Sequence, residues 1–181
     1  MEIKIRQATV DDIPALERLI RESVRGLSTD YYSSDQIESA LIHIFGIDTQ
    51  LISDGTYYVA EAADQLVGCG GWSKRKTLFG GDQAKEKIDS LLDPETEAAR
   101  IRAFFVHPDW ARRGIGRQII DVCEEAAGEA RFKEIEMAAT LPGEPLYKAC
   151  GYDVAERFEI DLPEGLNLPL ARMRKKITGQ D

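Results

Sequence analysis

Three arginines and two glycines fall within the stretch Ala111-Arg112-Arg113-Gly114-Ile115-Gly116-Arg117, between an apolar strand and an amphipathic helix. The strand reads Ile101-Arg102-Ala103-Phe104-Phe105-Val106 and is ended by His107-Pro108-Asp109. On the far side Ile115, Ile119, Ile120, Cys123, Ala126, Ala127 and Ala130 recur at helical spacing, while Arg117, Asp121, Glu124, Glu125 and Glu129 take the opposite face. The helix therefore begins inside the glycine loop. A helix start leaves backbone N–H groups without partners and carries a partial positive charge, so it favours an anion. Gly114 and Gly116 remove side chains that would hold the anion away, and Arg112, Arg113 and Arg117 supply the planar donor forks that suit phosphate oxygens. The bland alternative is a solvated basic turn; strand, arginines and helix together favour a phosphate or pyrophosphate site.

Elimination narrows the class of site. No Gly-x-x-x-x-Gly-Lys-Ser/Thr run occurs, and a dinucleotide fingerprint would need a small residue where Ile119 stands. What remains resembles the GNAT family of acyl-CoA-dependent N-acetyltransferases, whose signature after a strand is Gln/Arg-x-x-Gly-x-Gly/Ala. Arg113-Gly114-Ile115-Gly116 matches its core; Ala111 occupies the Gln/Arg position, with Arg112 as the substitute. A second match is Tyr147-Lys148-Ala149-Cys150-Gly151-Tyr152, which reproduces the family's Tyr-x-x-x-Gly-Phe/Tyr.

The resemblance implies acyl transfer from the acetyl-CoA thioester to an amine, and it assigns roles. Phe104, Phe105 and Val106 would pair with the pantetheine arm, with the Val106 N–H as oxyanion donor, and Arg112, Arg113, Gly114, Ile115, Gly116 and Arg117 would hold the pyrophosphate. Thr140 would add a hydroxyl contact. Tyr147, with a reference pKa of about 10, would give its proton to the departing thiolate; the alternative is a tyrosine packed on the sheet. For the amine's proton the chain has Arg100 and Arg102 where several relatives carry Glu or His, which leaves Glu97, Glu61 and a water chain as candidates. Arg102 binds either an acceptor carboxylate or a surface ion partner. Tyr31 and Tyr32, in the connection that commonly overhangs the acceptor pocket in the family, and Trp72 are candidate acceptor contacts, with core packing as their alternative. His43 and His107 belong to no cluster with metal-ligand spacing, and His-Glu-x-x-His and Gly-x-Ser-x-Gly are absent, so neither a metal nor serine-hydrolase chemistry is expected.

The rest of the chain must position these residues. Its 181 residues suit one domain, 1–181, and 23 basic against 32 acidic residues give a net charge of −9, which disfavours nucleic acid. Cys69, Cys123 and Cys150 lack zinc or disulfide spacing and read as buried thiols in a reducing cytoplasm. No membrane segment is expected. A strand over 2–8 precedes a helix from about Asp12 to Gly26; Ser33 and Gln36 have capping-box spacing for a second helix reaching Gly46. Thr56–Ala62 and Leu66–Ser73 read as a hairpin, with Gly68, Gly70 and Gly71 marking a bulge or a close approach. The segment 74–100 should hold a short helix around 84–92. A strand over 134–139, a short helix begun by Pro145 and closed by Gly151, and strands over 152–160 and 168–177 complete the order. The expected fold is α/β of GNAT type, a mixed, mostly antiparallel sheet flanked by helices. The expected function is N-acetylation of a primary amine, small or amino-acid-like, with a protein lysine or N-terminus as alternative acceptor. A non-catalytic acyl-CoA sensor or interaction module is the alternative of another class. The resemblance also implies a homodimer through the last strands.

Overall fold

The structure, a computed structural model, describes residues 2–86 and 88–177. The chain runs β1 (Lys4–Gln7), α1 (Ile13–Leu27), α2 (Ser34–His43), α3 (Thr49–Asp54), β2 (Tyr57–Ala62), β3 (Gln65–Ser73), β4 (Ala99–Val106), α4 (Ile115–Glu129), β5 (Glu134–Thr140), α5 (Glu144–Ala149), β6 (Asp153–Asp161) and β7 (Asn167–Lys176). The seven strands form one sheet in the order β1-β2-β3-β4-β5-β7-β6. Every neighbouring pair is antiparallel except β4 and β5.

That exception positions the site. The two parallel strands pair only at Ala99 with Ile135 and Arg100 with Glu136, then diverge. Glu136 is buried at this last rung and is held by Arg100, Arg172 and Arg174. Past it, the β3–β4 register shifts between Cys69 and Gly71, and Ala103 takes φ +51°, so β4 bulges and bends away. The glycines of β3 make room for this. A Cβ on Gly70 would lie 2.2 Å from the Phe104 ring, and one on Gly68 would lie 2.7 Å from Ile115.

One sheet face carries Ile101, Ile135, Met137, Ala139, Ala171 and Met173 against the α4 stripe of Ile115, Ile119, Ile120, Cys123 and Ala127. The other is covered by α1, α2 and α3: Leu16, Leu19 and Leu51 pack on Tyr57, Val59 and Cys69, and Ile20, Val24 and Ile37 on Leu168 and Leu170. All three cysteines are buried free thiols. Among the described residues no helix is long and apolar enough to cross a membrane.

Helix signals in the sequence act as written at α2, where the Ser33 hydroxyl accepts from Gln36 N at 3.1 Å and the Gln36 side chain accepts from Ser33 N at 2.8 Å. The helix expected around 84–92 does not form among the described residues there. The backbone groups it would use are spent across the loop instead. Lys76 N donates to Ser90 O at 2.9 Å, Leu92 N to Lys74 O at 2.8 Å, and Thr77 N to the Asp89 carboxylate at 2.8 Å. This strap is pinned to the body by Arg75 on Asp54 and by Arg102 on Asp89.

An acid-sensitive clasp holds α5 to β6. Glu144 accepts from Arg157 at 2.7 Å and from Lys148 at 2.8 Å. The Arg157 hydrogen bond first, and Lys148 second, hold its carboxyl near about 2. A carboxyl depressed in the fold stabilises it above the ordinary carboxylate pKa and loses that contribution as pH falls toward the folded value. Glu144→Gln is therefore expected to lower the melting temperature at pH 7 and to reduce its slope between pH 5 and pH 2. An unchanged slope in a thermal-melt series over that range would count against the clasp.

Candidate active site

Two cavities meet where β4 and β5 part. The larger, about 320 Å³, lies at the C-terminal end of β4, between the last turns of α1, the Arg112–Gly116 loop and α5. The smaller, about 70 Å³, lies on the side of the strap, roofed by residues 78–81 and the end of α2. Phe45, Phe104, Phe105, Thr140 and Tyr147 line both.

The glycine loop borders the larger cavity. Gly114 caps α4 at φ +81°, where a side chain is strained, and a Cβ on Gly116 would lie 2.6 Å from Leu146. The first ladder bond is Gln118 N to Gly114 O at 3.1 Å, so the N–H groups of Ile115, Gly116 and Arg117 precede the helical ladder. Arg112 also lines the cavity and holds φ +65°, a left-handed conformation that costs a non-glycine residue about 1–2 kcal/mol. Arg113 stacks over Trp110 at 4.8 Å, and Arg117 donates to Ala149 O at 2.8 Å, capping α5. The three arginines thus differ: one borders the cavity, and two brace the elements on either side of it.

The β4 edge supplies backbone donors. His107 N donates to Val67 O at 2.9 Å, toward β3. Successive amides on a strand point to opposite edges, so the Val106 N–H faces the β5 side, where pairing has already ended. Val106 lines the larger cavity.

Tyr147 sits on α5, whose first turn carries Pro145. Its ring meets Phe104 edge-on at 5.9 Å and Tyr152 at 6.1 Å. Burial, with smaller contributions from Cys123 and Cys150, pushes its phenol well above the ordinary range, so it keeps its proton throughout the neutral region. No hydrogen bond to its hydroxyl is present among the described residues. The Thr140 hydroxyl accepts from Gly143 N at 3.2 Å, which fixes the turn from β5 into α5.

Other candidates fall elsewhere. Tyr31 is 48% exposed and lines the larger cavity rather than the smaller one. Tyr32 is no cavity wall: it is buried against Ile20, Val24 and Ile37, donates to Pro169 O at 2.7 Å and accepts from Leu141 N at 3.0 Å. Burial pushes its phenol up to about 12. Trp72 is a core residue packed on Phe132 at 6.0 Å and borders neither cavity. Arg102 borders the smaller cavity, but it is buried and committed to Asp48 at 2.8 Å, Asp89 at 2.9 Å and Ser73 at 3.2 Å, which leaves no free fork for an acceptor carboxylate. Glu61 is paired with Arg6 at 2.6 Å on the first rung of the sheet, and Glu97 accepts from Asp93 N at 2.8 Å in a turn. Neither borders either of these two cavities, so neither is placed to act as a base there. Residues not anticipated as part of the site include Phe45, Leu78 and Phe79 in the roof, Ser23 from α1 and Ser28 just after it. A local signal beside Phe79 is the Gly80-Gly81 pair, where a Cβ on Gly81 would lie 2.8 Å from the Gly46 backbone.

The profile of the acetyltransferase (GNAT) domain matches residues 53–154. Solved structures share the fold at low identity. A GCN5-related N-acetyltransferase from Rhodopseudomonas palustris is 20% identical with a TM-score of 0.71, over 97% of this chain and 96% of that one. PaiA N-acetyltransferase from Thermoplasma acidophilum, solved with coenzyme A, is 17% identical at 0.66 over 97% and 99%. A ribosomal-protein-alanine N-acetyltransferase from Brucella melitensis is 18% identical at 0.62 over 96% and 99%. No curated protein matches significantly. With its glycine loop, parted strands and tyrosine helix in one cleft and more than half its length under the domain profile, the chain belongs to the GNAT family and is an acyltransferase.

Proposed function

We propose that the protein transfers the acetyl group of acetyl-CoA to a primary amine by direct attack, in a ternary complex that forms across the β4–β5 gap. The observation that carries this reading is the common wall of the two cavities, Phe104, Phe105, Thr140 and Tyr147. A thioester reaching that wall from the larger cavity meets an amine held in the smaller one.

The residues present fit the coenzyme. The Ile115, Gly116 and Arg117 amides and Arg112 would hold the pyrophosphate, in a loop where a side chain on Gly116 would collide with Leu146 in the wall of the same cavity. The parted strand edge would take the pantetheine arm, with the Val106 N–H donating to the thioester oxygen as charge gathers there. Acetyl-CoA supplies an activated acyl carbon; the chain's own groups orient it, exclude water and move one proton. Tyr147 donates its phenolic proton to sulfur as the carbon–sulfur bond breaks.

The coenzyme assignment is tested by thermal melts with acetyl-CoA, ATP and NAD. At about 100 times its dissociation constant acetyl-CoA should stabilise the fold by about 2.7 kcal/mol, a rise of about 5–10 °C for a chain of this size. A rise with ATP or NAD but none with acetyl-CoA would overturn the reading.

A further inference from the structure

We infer that the acceptor is a slender, weakly basic amine that enters the smaller cavity uncharged, such as a peptide α-amine or an arylamine, and that lysine side chains and polyamines are poor substrates. This rests on the acetyl-transfer reading above and specifies its second substrate.

The first argument is solvation. The cavity wall is built of apolar side chains, among them Phe45, Phe79, Ile101 and Met137, of backbone and of the neutral polar residues Thr140 and Tyr147, with Arg102 its one cationic side chain. The Arg102 charge is already matched by Asp48 and Asp89. None of the chain's 32 acidic residues is among the described residues lining either cavity. An ammonium entering here would lose its water and gain no counter-charge, which disfavours the charged form, whereas a neutral amine loses far less.

The second argument is proton balance. A neutral primary amine brings two protons on nitrogen. Its lone pair attacks the thioester carbon, the new carbon–nitrogen bond forms and the carbon–sulfur bond breaks. The amide keeps one proton and the thiol takes the other, so no base outside the reacting pair is required. Tyr147, which borders both cavities, can complete this alone by giving its proton to sulfur and regaining one from nitrogen. An ammonium brings a third proton that must be removed first, and no carboxylate or imidazole among the described lining residues is there to remove it. The base that the sequence does not offer is a base that a neutral amine does not need.

The third argument is size. About 70 Å³ is about the liquid volume of two waters, which suits an amine nitrogen with the carbon that carries it and excludes a bulky polycyclic drug amine from the space as shaped.

The test is thiol release from acetyl-CoA by the full chain at pH 7.5, with alanyl-peptide amide, an arylamine, Nα-acetyl-lysine amide and spermidine as acceptors, beside an acetyl-CoA thermal melt. An α-amine with pKa near 7.8 is about 250 times more neutral at this pH than a lysine amine at 10.4, so kcat/KM should favour the first by on the order of 10²-fold. For the alanyl peptide, kcat/KM should rise with pH through a midpoint near pH 8, the acceptor's own titration, and level off about one pH unit above it. Ala138→Asp should narrow the gap to spermidine by supplying a carboxylate; should that variant not fold, the acceptor ranking and the wild-type pH profile decide without it. Equal or better turnover of spermidine or the lysine amine would overturn the inference and leave the acetyl-transfer reading standing. An acetyl-CoA shift with no turnover of any of the four would also overturn it. Neither a shift nor turnover would overturn the acetyl-transfer reading itself.

Discussion

Tyr147→Phe lowers kcat for acetyl transfer by about 10²- to 10³-fold while leaving acetyl-CoA binding and the fold nearly intact; that is the expected result if the phenol is the proton donor. The ring's packing against Phe104 and Tyr152 survives the substitution, and only a hydroxyl without a partner among the described residues is lost. Melting temperature should therefore change by no more than about 1–2 °C, and the acetyl-CoA-induced shift should persist. Burial raises the Tyr147 phenol well above its ordinary value, which at first sight makes it a weak acid for a thiolate. The same burial acts on sulfur. Desolvation disfavours a thiolate as it does a phenolate, so a thiolate released into the cleft beside Tyr147 is a stronger base than one in water. The pair of measurements, steady-state kcat and ligand-induced melting shift, separates this role from a structural one. Loss of the shift together with activity would mean that Tyr147 shapes the cavity instead, and an unchanged kcat would remove it from the chemistry.

The residues that sequence reasoning found are those whose function is written in local backbone physics. Gly114 at a helix start, Pro145 and Gly151 around α5, and the Ser33–Gln36 box all act within four residues of themselves, so spacing alone reveals them. The β3 glycines were legible as a close approach, though not that Phe104 and Ile115 make it. Helix α3 was missed because six residues with one buried position, Leu51, carry no periodicity; its markers were Asp48 before it and Gly55 after it. What could not be read is long-range pairing. Arg102 follows Arg100 by two positions on one strand, but its partners Asp48 and Asp89 come from the loop before α3 and from the strap, and no local pattern brings them there. The strap failed as a helix for the same reason, since Asp89 is taken by Thr77 and Arg102. Tyr32 and Trp72 show the limit for aromatics: composition says they will be covered, and only the fold says by what.

Asp48 is where that long-range pairing can be broken most sharply. Its side chain is fully buried and accepts from both Arg102 Nε and Nη2, at 3.0 and 2.8 Å, while Lys85 meets its other oxygen. It also caps α3 by accepting from Leu51 N at 3.3 Å. Asp48→Ala leaves a buried guanidinium and a nearly buried ammonium short of one counter-charge, and removing one partner of such a cluster typically costs about 3–5 kcal/mol. For a chain of this length the expected fall in melting temperature is about 10 °C, with a matching drop in the urea midpoint at unchanged slope. The damage should also be directional. The strap loses Lys85 as an anchor and Arg102 loses the carboxylate that holds it against the cavity wall, so KM for the amine should rise. The glycine loop, on the far side of the β4–β5 gap, should still give the full acetyl-CoA-induced shift. Asp48→Asn, which keeps the shape and an acceptor oxygen but no charge, should fall between the two. A loss below about 1 kcal/mol in the alanine variant would mean that Asp89 and Asp82 can neutralise Arg102 and Lys85 without it, and the cluster would then be a set of independent surface pairs rather than the post on which the acceptor side is hung.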